Sequence, residues 1–214
     1  MSSDEAVAVA AKLKSAKVIA IIRGISPAQA QPLFEALAAG GIELAEVTLN
    51  TPSALPIIQM MRKQYEGRMM IGAGTVLNAK LAGEAIQAGA QFLISPNVDG
   101  GMIEQALASG VLPIPGALTP TEIVQAMNYG ASVVKLFPCS SLGPSYVREV
   151  RAPLSDVNLL AVGGITKDNA ADYLAAGAFS VGVGGSLVSL SEIEKGNYKA
   201  ITTYAEQLMA AVNQ

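Results

Sequence analysis

Two ionisable residues sit inside apolar runs that a folded chain should bury. Lys135 lies within Ser132-Val133-Val134-Lys135-Leu136-Phe137-Pro138, whereas the other lysines occupy helical or loop contexts where a solvated charge is ordinary. Burial disfavours the ammonium and lowers its pKa, and a neutral amine is the form that attacks a ketone. A structural lysine paired with a carboxylate is the alternative, and the run alone does not choose between them. Glu46 is the second case, in Leu44-Ala45-Glu46-Val47-Thr48-Leu49. Strand alternation puts Leu44, Glu46 and Thr48 on one face and Ala45, Val47 and Leu49 on the other. An acid and an amine inside strands read either as a buried ion pair or as an acid–base couple.

Two glycine clusters add a third kind of chemistry. Gly163-Gly164-Ile165 and Gly182-Val183-Gly184-Gly185-Ser186-Leu187 follow the last two apolar runs. Free backbone N–H groups in such turns can cradle a phosphate; tight turns alone are the other reading. The second cluster is not a dinucleotide fingerprint, because Leu187 breaks the G-x-G-x-x-G spacing, as Leu77 does after Gly72-Ala73-Gly74. Other polar residues that close the runs are Arg23, Thr75 and Ser95-Pro96-Asn97.

Histidine is absent. Imidazole-ligated zinc, histidine-dependent triads and histidine acid–base steps are therefore excluded. Proton transfer falls to carboxylate, lysine, tyrosine or water. The lone cysteine, Cys139, allows no intrachain disulfide, which suits a reducing compartment such as the cytoplasm. With no histidine to activate it, Cys139 reads as a small packed residue.

The elements that must position these groups follow a repeated mark: a helical pattern, then glycine, then a short apolar run. It appears around Gly41, Gly89, Gly110, Gly130 and Gly177. Glycine just past a helix takes the left-handed conformation without a Cβ penalty, and four to six apolar residues make a buried strand. Eight runs result: 17–22, 44–49, 69–72, 91–95, 112–114, 133–136, 159–162 and 181–183. Helices are expected at Pro27–Ala39, 78–88, 119–129 and 167–176, with an extra one at 5–15 and a long last one at 193–212. Thr119-Pro120-Thr121-Glu122 offers a capping box, and Thr166 stands in a similar place. Eight β/α repeats in 214 residues predict one (β/α)8 TIM barrel, residues 1–214, preceded by an N-terminal helix. An open doubly wound sheet is the structural alternative.

Composition agrees. Half of the residues are apolar (51%) but only 5% aromatic, so Ala, Val, Ile and Leu must build a core of strands buried on both faces. Net charge is −3 with no basic tract, which argues against nucleic acid and anionic membrane. Residues 1–11 lack a basic segment before an apolar stretch, unlike a signal peptide, and no run approaches a membrane span.

Taken in order, Glu46-Val47-Thr48-Leu49, Ile71-Gly72-Ala73-Gly74-Thr75-Val76, Ile94-Ser95-Pro96, Pro115-Gly116, Lys135-Leu136-Phe137-Pro138 and Gly163-Gly164-Ile165 resemble the 2-keto-3-deoxy-6-phosphogluconate and 4-hydroxy-2-oxoglutarate aldolases. The resemblance implies a class I aldolase, a homotrimer without metal or other cofactor. Its substrate would be a phosphorylated keto acid cleaved to pyruvate and glyceraldehyde 3-phosphate. It implies Lys135 as the Schiff-base residue and Glu46 as general acid/base. Thr75, Pro96 and Phe137 would line the pyruvyl pocket, Arg23, Thr48 and Asn50 would also bind the substrate, and Gly163, Gly164, Gly184, Gly185 and Ser186 would hold the phosphate. Phosphogluconate members commonly carry Arg where this chain has Asn50, and Thr where it has Val162. Both changes, with Ile22-Arg23-Gly24-Ile25, are similar to the 6-phosphogalactonate branch; Arg23 then supplies the positive charge that Asn50 lacks. Two rivals stand outside the family. A barrel isomerase or synthase would keep the glycine clusters without needing an amine in the sixth run, and a phosphometabolite-binding module would tolerate Lys135→Met.

Overall fold

The computed structural model describes residues 3–213. The apolar runs become strands and the amphipathic stretches become helices around them. In chain order these are α1 (Ser3–Ala16), β1 (Val18–Ile22), α2 (Pro27–Ala39), β2 (Leu44–Thr48), α3 (Ala54–Gln64), β3 (Met70–Gly74), α4 (Ala79–Gln87), β4 (Phe92–Ile94) and α5 (Gly100–Ala108). There follow β5 (Leu112–Ile114), β6 (Gly116–Ala117), α6 (Pro120–Asn128), β7 (Val133–Leu136), α7 (Gly143–Arg151), β8 (Asn158–Val162), α8 (Ala170–Ala175), β9 (Ser180–Val183), α9 (Leu190–Glu194) and α10 (Tyr198–Val212).

All strand pairs are parallel, in the order β5-β4-β3-β2-β1-β9-β8-β7-β6. The two edges of that order, β5 and β6, are one run interrupted by Pro115, which has no N–H to give a ladder. The proline carbonyl still accepts from Lys135 N at 2.8 Å, so the sheet closes through it. This is the expected (β/α)8 barrel with its leading helix α1, and the open doubly wound sheet is excluded.

Two expected helices differ. The last one is broken at Gly196, whose φ of 69° ends α9 before α10 begins. The helix expected from residue 167 starts only at Ala170. Asn169 Oδ1 accepts from Thr166 N at 2.8 Å and Thr166 Oγ1 from Asp168 N at 3.3 Å, which holds 166–169 as a turn. Thr119 and Glu122 do close the expected box, with Thr119 N donating to Glu122 Oε2 at 2.8 Å. No helix among the described residues is long and apolar enough to cross a membrane.

Ladder register decides which side chains meet inside. From β1, one row runs Ile21–Glu46–Gly72 and on through Phe92 to Leu112. In the other direction, Lys17 leads through Ser180, Leu160 and Lys135 to Gly116. The rows start four residues apart on β1 and end four apart across Pro115, about eight in all, the shear of this barrel type. With that stagger, alternate strands contribute four-residue layers. Glu46, Ile94, Lys135 and Gly182 share one layer. Ile21, Gly74, Gly116 and Val162 form the layer above it, and Thr48, Pro96, Phe137 and Gly184 the next. Below lie Ile19, Gly72, Ile114 and Leu160, then Leu44, Phe92, Val133 and Ser180. At the closed end α1 plugs the barrel with Val9 and Leu13, both fully buried. Each such side chain stabilises by about 1.5–3 kcal/mol. The lower layers are thus mostly packed hydrocarbon, with the buried Ser180 hydroxyl and Gly72 as the exceptions, and glycine concentrates in the upper ones.

Candidate active site

The layer that holds Glu46 and Lys135 is the one of these five that carries ionisable side chains. Glu46 is 1% exposed and Lys135 7%. Among the described residues no ion pair joins them, and Glu46 Oε2 has no hydrogen-bond partner. Desolvation dominates both groups. It pushes the Glu46 carboxyl up to about 7, against the opposing pull of the Lys135 and Arg23 cations. It lowers the Lys135 amine, against the opposing Glu46 charge, and Arg23 lowers it further. Both shifts favour the uncharged forms: an amine that can attack and a carboxylic acid that can donate. Lys135 Nζ sits 4.7 Å above the Phe137 ring, which keeps one side of it dry.

Room for the carboxylate comes from β3. A Cβ at Gly74 would lie 2.5 Å from Glu46 Oε2, and one at Gly72 would enter the Phe92 ring at 2.4 Å. Gly74 is therefore a packing device for the site, and Gly72 one for the aromatic ring beneath it, roles that composition and spacing alone did not suggest. We expect Gly74→Ala to displace the Glu46 carboxylate and lower kcat by on the order of 10²-fold, since ångström misplacement costs that much. Steady-state kinetics beside a circular dichroism spectrum check it; unchanged kcat contradicts it.

Above this layer opens a cavity of about 680 Å³. Its walls bring together Arg23, Gly163, Gly164, Gly184, Gly185 and Ser186, with Ile21, Val162, Thr166 and Val188. Gly163 and Gly164 take φ of 106° and 70°, which turns the chain sharply after β8. A Cβ at Gly164 would meet Ser140 at 2.8 Å. Ser186 Oγ donates to the Ile165 carbonyl at 2.9 Å, tying the two turns together. No acceptor among the described residues is paired with the N–H groups of Gly164, Gly185 or Ser186. Arg23 is exposed and pairs with no carboxylate among the described residues. Unsatisfied N–H groups and a free guanidinium around one concavity suit an anion.

The remaining expected residues ring the open end. Thr75 follows β3 at φ 59°, an uncommon conformation for a β-branched residue. Pro96 is exposed after β4, and its carbonyl group leaves room for only a glycine at 116. Two residues stand differently from expectation. Thr48 is 1% exposed and its hydroxyl is engaged by the Ile22 carbonyl and by Thr51, so it braces the wall. Asn50 is exposed in the turn after β2 and, like Thr75, Pro96 and Phe137, is absent from the wall of that cavity. Cys139 is buried, its thiol pushed up to about 11 by desolvation and donating to the Leu136 carbonyl at 3.1 Å. It is a packed, protonated residue. Among the described residues no three His, Cys, Asp or Glu side chains gather as metal ligands.

Comparison with known proteins meets the same geometry. A family model described as KDPG and KHG aldolase matches residues 9–204. A probable 2-dehydro-3-deoxy-6-phosphogalactonate aldolase from Rhizobium meliloti (strain 1021) is 40% identical over 171 residues, 79% of this chain and 81% of that protein. The KHG/KDPG aldolase of Escherichia coli (strain K12) is 37% identical over 180 residues, 83% of this chain and 84% of that protein. The solved structure of KDPG aldolase from Legionella pneumophila, with pyruvate captured at low pH as a covalent carbinolamine intermediate, superposes with a TM-score of 0.87. It is 29% identical and covers 93% of this chain and 97% of that one.

Proposed function

The chain belongs to the KDPG and KHG aldolase family, and from that premise we propose that it cleaves 2-dehydro-3-deoxy-6-phosphogluconate to pyruvate and glyceraldehyde 3-phosphate through a Schiff base on Lys135. The observation that carries this reading is the shared layer of Glu46 and Lys135, both biased to their neutral forms beneath an anion-suited cavity. The carbinolamine in the Legionella relative supports the same chemistry.

Charge bookkeeping explains why neutrality of both partners is useful. The Lys135 amine adds to the C2 carbonyl. The Glu46 proton then leaves with the carbonyl oxygen as water, and an iminium cation faces a glutamate anion. That new cation, in the layer where burial had held the carboxyl near pH 7, now stabilises its ionised form. The carboxylate takes the C4 hydroxyl proton, the C3–C4 bond breaks into the iminium, and the aldehyde departs. Glu46 returns the proton to C3, which regenerates an iminium, and water releases pyruvate while restoring amine and acid. Arg23 and the N–H groups of Gly164, Gly185 and Ser186 hold the phosphate, and Thr75, Pro96 and Phe137 enclose the pyruvyl end. None of these steps requires a metal. The reading includes a homotrimer working in a reducing, cytoplasmic setting.

A second reading concerns the C4 epimer. Asn50 lies off the cavity wall and leaves Arg23 as its cation, and the Rhizobium relative is named for the galactonate phosphate. Initial rates of pyruvate release from the two epimeric phosphates test both readings. Faster cleavage of the gluconate-derived phosphate supports the first, a galactonate preference favours the second, and no release from either ends the assignment.

A further inference from the structure

Arg23 is exposed on a short loop, yet its backbone is held from both sides by buried hydroxyls. Thr48 and Thr51 are 1% and 3% exposed. Gly24 N donates to Thr51 Oγ1 at 3.0 Å, Thr51 Oγ1 lies 3.1 Å from Thr48 Oγ1, and Thr48 Oγ1 donates to the Ile22 carbonyl at 3.3 Å. Only one proton arrangement satisfies all three contacts. The Ile22 oxygen can only accept, so it takes the Thr48 proton; the Gly24 N–H can only donate, so it gives to Thr51. The Thr51 proton must then point to Thr48. The relay starts at the residue after Arg23 and ends at the residue before it.

The two threonines are themselves fixed, since Thr51 N donates to the Thr48 carbonyl at 2.8 Å in the turn that ends β2. Gly24 takes φ 76°, a left-handed turn that aims its N–H inward, and it packs near Leu190, a residue of the same cavity wall. We propose that Thr51 is a positioning residue for substrate affinity: through the Thr51–Thr48 relay, β2 sets the place of the Arg23 guanidinium at the phosphate cavity. The proposal rests on the reading that Arg23 contacts the phosphorylated substrate.

The test is a set of variants assayed for kcat and KM on the phosphorylated substrate. Thr51→Val keeps the side-chain shape and breaks the relay, so KM should rise roughly 5- to 30-fold, the affinity equivalent of one buried hydrogen bond left unmade, with kcat within about twofold. Thr51→Ser, which keeps the hydroxyl, should restore KM. In an Arg23→Ala background Thr51→Val should add nothing further, because its effect runs through Arg23. Pyruvate-dependent borohydride labelling of Lys135 should stay at the wild-type level in Thr51→Val, which separates lost positioning from lost folding. An unchanged KM in Thr51→Val, or a full KM increase that persists on top of Arg23→Ala, overturns the proposal alone. An unchanged KM in Arg23→Ala removes the phosphate role of Arg23 and the proposal with it.

Discussion

Replacing Lys135 with alanine is expected to reduce cleavage to the uncatalysed background while leaving the fold intact. The loss is total because the iminium is the electron sink into which the C3–C4 bond breaks, and among the described residues no other amine shares the layer with Glu46 or lines the cavity above it. Removing a partly desolvated lysine costs the fold little, since no described carboxylate is ion-paired with it. Lys135→Arg should be equally inactive, because guanidinium stays protonated and cannot add to a carbonyl. Residual turnover in either variant above that of a heat-denatured control would mean that another group carries the chemistry. A barrel isomerase, or a module that only binds a phosphometabolite, would also not need the amine.

Glu46→Gln should lower kcat by about 10²–10⁴-fold, the usual share of general acid–base catalysis, and leave some turnover because the iminium can still form slowly with water as proton carrier. Its pH behaviour distinguishes it from a packing defect. The wild-type profile of kcat/KM should bend near pH 7, where the buried carboxyl titrates, and that bend should vanish in the variant. Stability should move the opposite way. Burial raises the folded carboxyl above its ordinary value, so the folded state binds more protons than the unfolded one between those values. Stability therefore falls as pH rises through about 7. Glutamine carries no charge to desolvate, so Tm of Glu46→Gln should exceed wild type at pH 8 and match it near pH 4. An equal Tm at pH 8 would show that the carboxylate is already well solvated or paired.

Much of this architecture was legible in local sequence because its signals are local. Glycines 41, 89, 110, 130 and 177 marked helix ends since each takes a positive φ there, and the apolar runs between them had strand length. Glu46 and Lys135 stood out for the same reason: a charge inside a strand-length apolar run has few bland explanations. What no local pattern could give is their shared layer. That depends on register carried around all the strands and through the break at Pro115. Gly196 broke the last helix inside a stretch whose apolar spacing continues on both sides. Gly74 reads in sequence only as part of a broken dinucleotide spacing; its reason for being glycine is a carboxylate on the neighbouring strand. Thr51 gave no signal at all, because a threonine in a turn is ordinary until its hydroxyl is seen facing the loop of another strand.

Covalent trapping reaches the central claim most directly. Incubating the protein with pyruvate and sodium borohydride should reduce the iminium to a stable secondary amine, adding one lactyl-equivalent group per chain. Peptide mass mapping should find that group on Lys135 alone, with no labelling in Lys135→Ala. Intact unlabelled protein, or a modification on any other lysine, would contradict a Schiff base at the barrel's polar layer.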